Sequence, residues 1–176
     1  LILLSAMLVS MSACGTDNKN ESLLDGEMSN QTSAVDTEEN STADETVGQV
    51  LFNDFQTRLK ADPYVSIENL TNGILSNSIL EFEGVQTSVS EGLLAGFGNA
   101  EITDFKEGMM FAPVIGSIPF VGYIFVLDNE SDAPRFTENL KNNADLRWNI
   151  CTEADEMIAD YYGNTVFFVM CPRNFE

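Results

Sequence analysis

Cys151 and Cys171 stand twenty positions apart, a spacing that excludes a CxxC redox pair and leaves two readings open. In an oxidising compartment the two thiols can bridge. Closing a loop of about twenty residues would then stabilise the fold by roughly 3 kcal/mol through the entropy of the unfolded chain. Otherwise they are free thiols buried as small apolar groups. Beside Cys151, the acids Glu153, Asp155 and Glu156 cluster. Carboxylates that share a cleft can divide acid and base roles, whereas exposed ones only solvate the surface. Asp128, Glu130 and Asp132 alternate like the opening of a calcium loop. Ala133 and Asn139, however, occupy the places where that loop needs Gly and Glu, so the stretch reads as a solvated turn. Trp148 is the only tryptophan. With Tyr123, Tyr161 and Tyr162 it can form an aromatic patch for a ligand or partner; the alternative places it in the core, over the sheet edge.

Several chemistries are excluded by composition. The chain has no histidine, which removes the usual general base and the commonest transition-metal ligand, and with them Ser–His–Asp, Cys–His and His-based zinc sites. Its 28 acids against 8 bases give a net charge of −20, which repels phosphate backbones and argues against a nucleic-acid partner. Gly92, Gly96 and Gly98 lack the GxGxxG spacing of a dinucleotide site. No residue is therefore assigned a catalytic, cofactor-binding or metal-ligating role.

The elements that must position these groups lie in residues 46–176, where aromatic and β-branched residues appear and acids thin out. Val47, Val50, Leu51, Phe55 and Leu59 form one stripe of a helix over 45–60, with Asp44 or Thr46 as its cap and Asp62–Pro63 as its stop. A second helix fits 66–77, capped by Ser66, with Ile67, Leu70, Ile74 and Leu75 inward. Residues 86–90 and 100–106 alternate as strands, separated by a Gly-rich bend. Met109–Leu127 runs nineteen residues without a charge, but its two prolines, two glycines and β-branched residues indicate two buried strands around Gly116–Ser117 rather than a membrane helix. A helix over 134–143 follows, started by Pro134, with Phe136 and Leu140 inward. Gly163–Asn164 then joins the arms 157–162 and 165–171 as a hairpin, the second arm apolar on both phases. The expected fold is α+β: a mainly antiparallel sheet with two N-terminal helices and one later helix packed on one face.

Ahead of the body, residues 1–13 form an uncharged apolar run too short to span a bilayer, and read as a signal peptide clipped at its start. Ser12–Ala13–Cys14 resembles a bacterial lipobox, in which the Cys sulfur is acylated and becomes the new N-terminus. Residues 15–45 carry nine acids, one base (Lys19) and no aromatic residue, so segment 14–45 is expected to be a lipidated Cys followed by a disordered acidic tether. With Cys14 as anchor and Tyr123–Met170 as the matching part of the body, the plan resembles small Gram-positive lipoproteins of unknown function. That resemblance implies an address and no activity.

The expectation is a lipoprotein anchored through Cys14 at the extracytoplasmic face of the cell membrane, its membrane contact made by the lipid. Its body is read as a binding or interaction module for a protein or small molecule, without cofactor. One alternative is an envelope enzyme using Glu153, Asp155 and Glu156 on glycan or peptide. Another is a structural subunit of an envelope complex using 109–127 as an interface.

Overall fold

The computed structural model describes residues 45–175; the leader, Cys14 and residues 15–44 of the expected tether lie outside the described residues. The fold is α+β. Its element order is α1 (Val47–Ala61), α2 (Ile67–Leu75), β1 (Gly84–Val89), β2 (Gly92–Leu93), β3 (Glu101–Ile102), β4 (Glu107–Pro113), β5 (Val121–Val126), α3 (Ala133–Asn143), β6 (Glu156–Tyr162) and β7 (Thr165–Cys171). Five strands form one sheet in the order β1-β4-β5-β7-β6, every neighbouring pair antiparallel, while β2 and β3 make a separate two-stranded ribbon.

Local chemistry sets the helix starts. The Thr46 hydroxyl accepts from Gln49 N–H, and the Gln49 side chain accepts from Thr46 N–H at 3.1 Å, so two otherwise unpaired donors of α1 are satisfied reciprocally. The Ser66 hydroxyl accepts from Asn69 N–H at the head of α2. At the β6–β7 turn Gly163 takes φ 61, a left-handed conformation open to glycine at little cost. Asn164 ties that turn to the end of β5, its amide donating to the Leu127 carbonyl at 2.7 Å while its own carbonyl accepts from Leu127 N–H at 2.9 Å.

Strand β7 is buried at all seven positions and β5 at five of six. Their alternate residues feed two cores. On one face, Phe111, Ile124, Phe167 and Val169 pack with Leu51 and Phe55 of α1 and with Leu70 and Ile74 of α2. On the other, Tyr123, Phe125, Val166 and Phe168 pack with Phe136 and Leu140 of α3 and with Phe97 and Ile102 from the chain around the ribbon. This corrects the expectation that the three helices share one face: α3 lies opposite α1 and α2. The cause is in the strands themselves. With bulky apolar side chains on both phases, a single helical layer would leave Tyr123, Phe125 and Phe168 in water.

The segment 109–127 is the centre of this sheet. Met109, Phe111, Val121, Tyr123, Ile124, Phe125 and Leu127 are buried, and only Val114 and Ile115 among its large apolar residues are exposed. Among the described residues no helix is long and apolar enough to cross a membrane. The alternation expected over 100–106 is cut short at Ile102. Asp104 takes φ 71, a left-handed conformation uncommon for a residue with a Cβ, and the resulting turn lays Phe105 on Phe125 with ring centroids 4.9 Å apart.

Candidate functional site

The three clustered carboxylates are held by three different partners. Glu153 pairs with Arg147 at 2.8 Å on the surface. Asp155 accepts from Arg173 N–H at 3.3 Å. Glu156 reaches the start of α1, where its Oε1 accepts from Gly48 N–H at 2.8 Å and faces the Cys171 Sγ at 3.6 Å. A carboxylate at a helix N-terminus is stabilised by the unpaired N–H groups and the helix dipole there, so Glu156 secures α1 to the sheet. Among the described residues each of the three carboxylates accepts from a different backbone or guanidinium donor, while Asp155 and Glu156 both adjoin Cys171, the Asp155 N–H donating to its carbonyl at 3.1 Å.

Both thiols in the body are free: Cys151 is exposed in the loop before β6, and Cys171 is buried at the end of β7. Burial, and then the adjoining Glu156 carboxylate, push the Cys171 thiol well above its ordinary pKa of 9.0. Burial likewise raises the Tyr123 phenol above its ordinary 10.0. The sign of the consequence is fixed. Above pH 9 the unfolded chain releases these protons while the folded chain keeps them, so this part of the stability is intact below the ordinary pKa values and declines as pH rises past them. Urea midpoints should fall between about pH 9 and 11, and C171A should fall less steeply than wild type over that window. An identical decline in both would exclude Cys171 as a contributor. In the native chain Cys151 should alkylate rapidly and Cys171 only on unfolding.

The aromatic residues separate. Tyr123 is fully buried, its hydroxyl donating to the Ala95 carbonyl at 2.9 Å. Trp148 and Tyr161 pack, partly buried, against the same core. Tyr162, the next residue along β6, turns to the opposite face, where the Lys60 ammonium stands 5.8 Å from its ring centre. Trp148 and Tyr161 thus border one core, Tyr123 lies inside it, and Tyr162 belongs elsewhere. Asp128, Glu130 and Asp132 fall in a turn with a short 3₁₀ segment, Glu130–Asp132, in which the Asn129 amide donates to Asp132 at 3.3 Å. Among the described residues no group of three or more Cys, Asp or Glu is placed to hold a metal ion.

A concavity missed by the sequence reading opens at the end of the sheet where β4 starts and β5 stops. Thr103, Asp104, Asp132, Arg135, Phe136 and Asn139 line a hollow of about 250 Å³. A second hollow of about 280 Å³ shares Asp104, Asp132 and Arg135 and adds Glu91, Asp128 and Asn129. Asp104 is positioned by its left-handed backbone, with its N–H donating to Glu91 Oε1 at 2.6 Å. Asp132 and Arg135, 3.9 Å apart, come from the first turn of α3 and the residue before it. Four acids against one guanidinium make the groove electronegative, suited to a cationic or hydrogen-bond-donating group. Its residues come from three separated segments, around 91, 103–104 and 128–139, and no local motif marks them.

Comparison with known proteins gives no match to a family model, to a curated protein or to a solved structure.

Proposed function

We propose that this chain is a lipid-anchored, extracytoplasmic binding module, held at a membrane through Cys14 and residues 15–45, whose groove around Asp104, Asp132 and Arg135 receives a polar or cationic group. The observation that carries this reading is the polarity of the body. The chain enters at Glu45 beside Arg173, with the Val47 N–H donating to the Arg173 carbonyl at 2.9 Å, at the end of the sheet where β7 stops and β6 begins. The groove opens at the opposite end, where β5 stops and α3 starts. A body tethered at its first residue presents that far end outward. Less supports the enzyme alternative, since Glu153, Asp155 and Glu156 are occupied by the Arg147 guanidinium, the Arg173 N–H and the Gly48 N–H respectively. The structural-subunit alternative loses most of its surface, since 109–127 is largely interior.

Two measurements test the reading. Native material should fractionate with membranes, release the body on proteolysis within 15–45, and yield an N-terminal peptide whose mass carries acyl chains on Cys14. A cytosolic body with an unmodified residue 14 overturns the anchor. Amide shifts recorded on the full chain during titration with arginine, choline and neutral sugars should centre on Thr103, Asp104 and Asn139. Shifts spread evenly over the surface, or none with any of these probes, overturn the groove.

A further inference from the structure

The end of the sheet that receives the chain from residue 45 carries a cluster of exposed aliphatic side chains. The β4–β5 loop presents Val114 and Ile115, 53% and 71% exposed, and the loop before β6 presents Ile150, 99% exposed. The two loops are joined, since the Asn149 amide donates to the Gly116 carbonyl at 2.9 Å. Phe82, Pro113 and Ile118, together with the acids Glu81 and Glu83, join Val114 and Ile115 in lining a shallow hollow of about 260 Å³. Single exposed aliphatic residues are ordinary on a protein surface, but a contiguous group at loop tips marks a contact.

The position of this group says what it meets. The strand pairings put the start of β1, the end of β4, the starts of β5 and β6 and the end of β7 at one end of the sheet. The head of α1 is bonded to Arg173 at that same end. The chain leading back to Cys14 therefore leaves the body beside the aliphatic loops. We propose that Val114, Ile115 and Ile150 insert into the interfacial layer of the bilayer that holds Cys14, so that the body stands on the membrane by this end. The inference rests on the anchoring proposed above and adds a contact to it.

Two physical arguments favour a bilayer over other occupants. Residues 15–45, fully extended, could reach no more than about 110 Å, so acylation of Cys14 would confine the loops to within that distance of lipid. A contact too weak to hold a free protein becomes effective when it is intramolecular, and one lipid chain plus a second apolar or electrostatic element is the usual requirement for a stable membrane hold. Residues 46–176 carry 19 acids against 7 bases, and this excess selects the kind of surface: zwitterionic headgroups accept these loops, whereas an anionic leaflet repels the body that carries them.

Trp148, the sole tryptophan, lies two residues from Ile150 and reports on this contact. The full chain with acylated Cys14 is reconstituted in phosphatidylcholine vesicles with and without bromines on the upper acyl chain. Trp148 emission is expected to fall roughly twofold in the brominated vesicles and less when phosphatidylglycerol is added at low salt. The variant I115D/I150D changes only exposed positions, so it should float with the vesicles as before while the quenching disappears. Protein that floats with Trp148 unquenched, or quenching that survives in the variant, overturns the inference and leaves the anchor standing. If the chain proves to carry no acyl group, the anchor fails, and the unacylated chain is read at high lipid concentration. Quenching lost in I115D/I150D then supports the contact by itself, and no quenching overturns it. A Trp148 change that needs no vesicles, fades on dilution and is abolished by the same variant assigns the loops to a second copy of the chain, which also overturns the membrane contact.

Discussion

Phe167→Ala is expected to lower the unfolding free energy by about 3–5 kcal/mol. Phe167 is fully buried in β7. Its ring lies 5.3 Å from that of Phe55, 5.9 Å from Phe52 and 6.3 Å from Phe111, so it joins α1 to the middle of the sheet. Removing the ring leaves a hollow that α1 is poorly placed to fill. The head of that helix is fixed by Val47 on Arg173 and by Gly48 on Glu156. The cost therefore belongs at the upper part of the range for large-to-small changes, where collapse is restricted. Against a total stability of about 5–15 kcal/mol for a typical domain, the variant stands close to unfolding at room temperature. A urea titration checks it: the midpoint should drop sharply with the slope unchanged. Tyr64→Ala, at a residue 96% exposed, should change the unfolding free energy by less than about 0.5 kcal/mol in the same titration. A Phe167→Ala loss below about 1.5 kcal/mol would mean that α1 closes over the site after all.

Gly122→Val is the second large effect, expected to cost about 3 kcal/mol or more by forcing extra volume into a filled site. Gly122 sits in β5 directly across from Phe111 in β4. The Phe111 ring lies over the glycine so closely that even the Cβ of alanine would overlap it. That ring is fully buried and cannot swing aside without displacing Phe120, 5.8 Å away, or Phe167. An aromatic ring laid across a strand glycine fills the space the glycine leaves empty, and the two positions act as one unit. Combining Gly122→Val with Phe111→Leu should thus cost less than the sum of the two single changes. Strict additivity, measured by denaturant midpoints, would show that ring and glycine are independent. Gly116→Ala serves as the contrast, because its added Cβ meets nothing within 4 Å.

What could be read from the sequence was what short-range chemistry decides. Thr46, Ser66 and Pro134 mark helix starts, and Gly163–Asn164 marks a hairpin, because each acts on backbone groups a few residues away. The apolar segment 109–127 was legible as strands for the same reason, and the unbroken apolar phase of β7 already implied cover on both sides. Carrying that implication further would have placed α3 opposite α1 and α2. The strand period would likewise have separated Tyr161 from Tyr162, since neighbours on a strand point to opposite faces. Other features depend on distant parts of the chain meeting. The pairing of β1 with β4, the groove joining Asp104 to Asp132 and Arg135, and the separate fates of Cys151 and Cys171 follow from how loops close around the sheet. The left-handed backbone of Asp104 has no sequence mark at all, because Asp adopts that conformation in only a minority of places.

The bond between the Val47 N–H and the Arg173 carbonyl brings the first helix and the last described turn of the body side by side. In space, then, residues 46–173 nearly form a closed ring. A short linker could complete that ring, and a cut between Pro63 and Tyr64, in the exposed connection of α1 to α2, could reopen it. Every strand pairing would survive such a circular permutation, because no pairing crosses the cut. The architecture is a property of which segments touch, and it tolerates a different choice of where the polypeptide is threaded first.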